Sequence, residues 1–235
     1  MLRQLRWDSA LRSSVGDYLM LVHANVGFNK TNVLVSESLN YQVTLLPDGT
    51  GRAVVTLNYA HQGTMTNVVC TQIIPYDENV TYDKLIHTCY YDFLRLVVPR
   101  GSQLREATAH PVPGKYLLSG VVNDGKAETL RDDPSGWVMF GQFFVVEYGK
   151  QLLTRFEYDL PVVVTDAAGQ KRYALLLQKQ PGTDAMPVKV KLILPARAQL
   201  ISASPSPTVQ SGAVLEFDLR LDVDRQIEVI YALDP

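Results

Sequence analysis

The 235-residue sequence predicts an all-β fold. Three observations carry that expectation. Apolar and polar residues alternate with a period of two in several segments, turn residues punctuate the chain about every ten positions, and helical periodicity is nearly absent. Successive strand side chains point to opposite faces of a sheet, so this alternation marks strands whose one face is covered by a core.

In chain order, Leu2, Leu5 and Leu11 fall on one face of a short N-terminal helix. A strand then ends near His23 and another begins near Val33. Between them Asn25, Gly27, Asn29 and Asn32 predict a structured turn, because Asn and Gly tolerate positive φ and Asn side chains bond backbone groups. Leu39, Tyr41, Val43 and Leu45, followed by Ala53, Val55, Leu57 and Tyr59, flank Pro47-Asp48-Gly49-Thr50-Gly51 as a hairpin with a five-residue loop. Runs at 90–98, 137–146, 152–158 and 172–178 are dense in β-branched, aromatic and aliphatic residues, as strands covered on both faces are. Val188, Val190, Leu192 and Leu194 oppose Lys189 and Lys191. A final antiparallel pair carries Ala213, Leu215, Phe217, Leu219 and Leu221, then Ile227, Val229 and Tyr231, on its inner face.

Strands recurring without intervening helices predict antiparallel sandwiches rather than a parallel α/β sheet. The longest polar break, residues 122–136, divides the chain into an N-terminal β subdomain, 1–130, with its short leading helix, and a C-terminal subdomain, 131–235. The second half holds about seven strands, the number in an immunoglobulin-like sandwich.

Composition narrows the function classes. A formal charge of -2 gives no global electrostatic case for nucleic acid or an anionic bilayer. No apolar run reaches the roughly 18 residues of a membrane span, and the first residues lack the features of a signal peptide. Two expectations follow: a fragment whose anchoring segment lies outside it, or a complete cytoplasmic protein. His23, His61, His87 and His110 are scattered without metal-ligand spacing, and neither a CxxC pair nor a Gly-x-Ser-x-Gly elbow occurs, so no catalytic residue, metal or cofactor is expected. Asp222 and Asp224 suit a hairpin turn better than a metal. Cys70 and Cys89 are read either as a disulfide, which would close a loop worth roughly 3 kcal/mol and persist in an oxidising compartment, or as two buried thiols.

Three blocks resemble a bacterial family, the domain of unknown function numbered four thousand and twelve. These are residues 16–32, with Asn25, Gly27, Phe28, Asn29 and Asn32 near their end; Phe93-Leu94-Arg95-Leu96-Val97-Val98-Pro99-Arg100-Gly101-Ser102; and residues 158–183, which open Tyr158-Asp159-Leu160-Pro161. The resemblance implies a membrane-anchored extracytoplasmic protein with one N-terminal transmembrane helix and an outer region linked with surface polysaccharide. This chain would be its C-terminal, β-rich part, and the resemblance favours the Cys70 to Cys89 bridge. It brings no catalytic residues.

Candidate binding residues remain. Asn25, Asn29, Lys30 and Asn32 form either a loop held by its own side chains or a recognition loop. Lys171, Arg172, Lys179, Lys189 and Lys191 could gather into a basic stripe for an anionic polymer, or decorate a solvated sheet face. Tyr76, Tyr82, Tyr90 and Tyr91 could stack on sugars or pack in the core. The leading functional expectation is a non-enzymatic, extracytoplasmic envelope domain, structural or ligand-binding, that scaffolds or binds envelope components such as surface polysaccharide. The alternatives are an accessory domain of an envelope enzyme, or a module that meets another surface protein.

Overall fold

The structure, a computed structural model, describes residues 10–73, 79–130, 136–167 and 169–233. Among the described residues fifteen strands follow in chain order: β1 (Asp17–Val22), β2 (Val35–Leu45), β3 (Gly51–His61), β4 (Tyr90–Val98), β5 (Gln103–Ala107), β6 (Glu128–Leu130), β7 (Val138–Val146) and β8 (Gln151–Leu160) come first. Then come β9 (Val164–Ala167), β10 (Gln170–Gln178), β11 (Met186–Ile193), β12 (Ala198–Ser204), β13 (Val209–Ser211), β14 (Val214–Leu221) and β15 (Arg225–Leu233). One α-helix, α1 (Tyr82–Ile86), begins where the Thr81 hydroxyl accepts the Lys84 N–H.

Two sheets face each other across a shared apolar core. Sheet A has the order β12-β15-β10-β1-β4-β7-β6, with β9 beside β10; sheet B runs β13-β14-β11-β2-β3-β8-β5. The alternation read in the sequence is the burial pattern observed: Leu39, Tyr41, Val43 and Leu45 face Ala53, Val55, Leu57 and Tyr59 across the β2–β3 ladder, joined by the turn at 46–50. Area removed from water by such side chains is the main favourable contribution to folding.

Two features correct the sequence reading. The pairings are antiparallel except β1–β10 and β2–β11, which are parallel and join residues about 150 positions apart, as in Val188 opposite Leu39. The halves 1–130 and 131–235 are therefore not separate sandwiches. Strands from both interleave in each sheet, since Tyr18 next to Leu176 and Val55 next to Phe156 let each half cover the other's edges. The expected leading helix falls mostly on residues outside those described, and residues 10–15 are irregular chain across the outer face of sheet A, where Leu11 packs near Met20, Val97 and Trp137.

The long strands run between two poles. At one pole the connections are brief: 46–50, 99–102, 161–163 and 194–197. At the other lie residues 23–34, the segments flanking α1, 108–127, 147–150, 179–185 and 222–224. We call these the turn pole and the loop pole.

Candidate functional site

The loop pole has a small core of its own. Cys70 and Cys89 form a disulfide there, with 5.2 Å between their Cα atoms, packed against Tyr91 and Tyr148 on the outer face of sheet A. Gln72 ties neighbouring loops together: its side chain donates to the Val26 carbonyl and accepts the Leu118 N–H, and its own N–H reaches the Tyr116 carbonyl.

Two further glutamines, Gln178 buried and Gln180 half-buried, bind backbone groups beside the strand ends. Gln180 accepts the His23 N–H at 2.8 Å and donates to the His23 carbonyl at 3.1 Å, so one amide serves both backbone groups of the residue that follows β1. Gln178 does the same for the leading segment, accepting the Arg12 N–H and donating to the Ala10 carbonyl.

This clamp fixes His23 at the floor of a cleft of about 690 Å³, lined by residues 32–37, Tyr90 and residues 180–187. The imidazole lies between two carboxylates, with Nδ1 2.8 Å from Asp92 and Nε2 3.3 Å from Glu37. Its side chain is 7% exposed, and Nε2 makes no hydrogen bond. Burial alone would push the imidazole down, but Asp92 and Glu37 overturn that and hold it up to about 9. His23 is thus an imidazolium at neutral pH. Asp92, fully buried, also accepts the Ala24 N–H and the Tyr59 hydroxyl. Glu37 is 17% exposed, and burial pushes its carboxyl up against the pull of His23. Behind it, the Lys179 ammonium donates to the carbonyls of Gln180 and Thr183 and to the Thr183 hydroxyl.

The four histidines, scattered in sequence, all stand at the loop pole in different states. His61 accepts the Gly63 N–H at Nδ1 and sits 2.9 Å from the Thr88 carbonyl through Nε2, the geometry of a neutral ring. His87 meets the Tyr148 hydroxyl at 2.7 Å, and burial lowers the imidazole of His110. Among the described residues no cluster of three His, Cys, Asp or Glu side chains is arranged to hold a metal ion, and no helix is long and apolar enough to cross a membrane.

The Asn-rich turn divides into two parts. Asn25 and Asn29 form a saturated knot: Asn25 donates to Asn29 Oδ1 and accepts the Gly27 N–H, while Asn29 donates to the Cys89 carbonyl and accepts the Thr31 N–H. A Cβ on Gly27 would come within 2.5 Å of Asn29 Nδ2 and 2.7 Å of the Tyr91 ring, so only glycine fits. Lys30 and Asn32 are exposed, and Asn25 and Asn32 also line the cleft.

The basic stripe does not form. Lys171 and Arg172 stand on β10 in sheet A, paired with Asp166 and Glu228; Lys189 and Lys191 project from β11 in sheet B, paired with Asp218 and Glu216. Alternation along one strand cannot carry side chains to the outside of a different sheet. Only Lys179 reaches the cleft region. Asp222 pairs with Arg225, and Asp224 accepts the Lys179 N–H, as turn residues do. Of the four tyrosines, Tyr90 lines the cleft, Tyr91 is buried beside the disulfide and Tyr82 is exposed, whereas Tyr76 lies outside the described residues. Sequence reasoning passed over His23, Glu37 and Asp92. The only signal available was a carboxylate, Asp92, inside a strand whose one other charged residue is Arg95.

No family model matches the chain, and no curated protein matches it. Among solved structures it is similar to part of an M1 zinc metallopeptidase from Deinococcus radiodurans, with a TM-score of 0.36 and 12% identity over 84% of this chain and 42% of that one. It is also similar to part of the native leukotriene A4 hydrolase from Saccharomyces cerevisiae, with a TM-score of 0.41 and 7% identity over 84% of this chain and 28% of that one. The chain spans less than half the length of either, and the likeness carries no functional argument.

Proposed function

We propose that this chain is a non-catalytic, extracytoplasmic domain of a bacterial cell-envelope protein that binds surface polysaccharide at its loop pole. The observation that carries this reading is the gathering of the long connections, the disulfide and a cleft of mixed polar and apolar lining at one end of a rigid sandwich. Loops on such a scaffold can vary for recognition while the sheets hold them still. A disulfide persists in oxidising compartments, which supports export. Membrane anchorage, as in the family the sequence resembles, would come from a segment outside this chain. The buried ionisable groups of the cleft are engaged with one another, an arrangement suited to holding a ligand.

The test is retention on isolated cell-wall glycan, with released reducing sugar followed in parallel. Retention without turnover supports the reading. Turnover, or failure to bind any envelope fraction, overturns it. A second reading, a module that meets another surface protein, is favoured by exposed aliphatic side chains on adjoining loops, Val69 and Ile73 beside Leu118, Val121 and Val122. Crosslinking on intact cells would then recover a protein partner through those loops and not through the cleft.

A further inference from the structure

The cleft has a charge pattern that selects among sugars. Asp92 is satisfied by the His23 imidazolium and by neutral donors from Ala24 and Tyr59. Lys179 spends its ammonium on three oxygens of its own loop. Glu37 is different. Among the described residues its one ion pair is with His23, through Oε2, and that contact lacks hydrogen-bond geometry on the imidazole side. Its second oxygen, Oε1, makes no contact of this kind, and Asp184 adds a further carboxylate to the lining. Of the charged residues that line the cleft, Glu37 and Asp184 stand against His23, which leaves one uncompensated negative charge. The complement of that site is a single cation. Beside it stand Val33, Pro181, Met186 and Pro187, an apolar wall suited to the C–H face of a ring, with Ser36 and Gln62 at the edge for hydroxyls.

We infer that the cleft recognises a protonated amino sugar, its ammonium held by Glu37 and its ring laid against the wall of Val33, Pro181 and Pro187. This rests on the polysaccharide reading and narrows it to glycans with free amines. The His23 imidazolium, clamped by Gln180 and backed by Asp92, holds Glu37 in place, and the ammonium takes the oxygen that His23 leaves open. A buried charge–charge contact of this kind is sensitive to loss of either partner.

Calorimetric titration of the intact chain with a glucosamine tetramer tests it, alongside the fully N-acetylated tetramer, a neutral glucose tetramer and a free dipeptide amine. The expected result is binding of the glucosamine tetramer, with acetylation or Glu37→Gln each weakening it about tenfold or more, equivalent to at least one factor of ten in Kd. Asp184→Asn, at an exposed loop position, is expected to weaken it about threefold without touching the fold, which keeps the test valid if Glu37→Gln misfolds. Equal binding of the acetylated tetramer overturns the inference and leaves the polysaccharide reading standing. Equal binding of the dipeptide amine overturns the sugar assignment. Retention on wall glycan with no tetramer bound overturns the inference alone, whereas loss of both overturns the two together.

Discussion

The two poles of this sandwich are built from the same strands and solve opposite problems. At the turn pole the chain reverses in a few residues, and a buried carboxylate near it, Asp17 at the start of β1, is enclosed in the core. Asp17 accepts hydroxyls from Tyr41 at 2.8 Å and Tyr173 at 2.6 Å and the Tyr18 N–H, and burial pushes its carboxyl up to about 6. At the loop pole, just past the other end of β1, His23 stands between carboxylates that open to a cleft. A carboxyl group sealed among phenols thus stands at one end of β1, and an imidazolium facing a lined cavity stands just past the other. The contrast teaches that a buried charge marks a site only where its unmet bonding capacity points to space.

The difference can be broken most severely at Asp92. Asp92→Ala leaves the His23 imidazolium buried with one partner, and a denaturant titration should show a loss of about 3–5 kcal/mol. Removing the bridge with Cys70→Ser and Cys89→Ser should cost about 3 kcal/mol by the loop-closure argument, checked by the same titration and by the two-hydrogen mass shift of the native chain on reduction.

Acid and alkali separate the poles directly. Both groups have folded values above their unfolded ones, so each stabilises most on the acid side. The Asp17 contribution is fully present below pH 3.8 and is lost as pH rises through about 6; that of His23 is present below pH 6.5 and is lost as pH rises through about 9. Each is worth on the order of 3 kcal/mol. Stability measured against pH should therefore fall in two steps, with Asp17→Asn flattening the first and His23→Gln the second. A single step common to both variants would show that the poles are not independent.

Smaller effects sharpen the comparison. Gly27→Ala should cost about 1–3 kcal/mol, because the methyl group would press into Asn29 and the Tyr91 ring. Gly49→Ala at the turn pole, where nothing lies nearer than 3.4 Å but φ is +85°, should cost about 1 kcal/mol for backbone strain alone. Lys189→Ala breaks an exposed pair with Asp218 and should leave the unfolding midpoint where it was.

Much of the fold was legible because alternation is local. The β2–β3 hairpin and the lysine-bearing face of β11 follow from residues at i and i+2, whereas β14 and β15, expected to pair with each other, lie in opposite sheets: the turn at 222–224 carries the chain across the core, so β14 pairs with β11 and β15 with β10. The parallel pairs β1–β10 and β2–β11 were not legible, since their register depends on side chains packed from distant segments. The polar stretch at 122–136 reads as a boundary, yet Gln142 ties Gly125 within it to the sheet by donating to the Gly125 carbonyl as well as to that of Thr108. Helix α1, a single short turn, left too few residues for periodicity to register. At the site, the Asn-rich turn was visible through its conformational chemistry. The His23, Glu37 and Asp92 cluster was not, because three elements supply one residue each and only the assembled sheets bring them within bonding distance.

The placement of β1 has a consequence for synthesis. It lies between β4 and β10, and its second neighbour is not complete until residue 178 has been made. Until then Tyr18, Leu19 and Met20 lack the strand that flanks them in the finished sheet, so closure of sheet A waits on a contact between segments far apart in the chain.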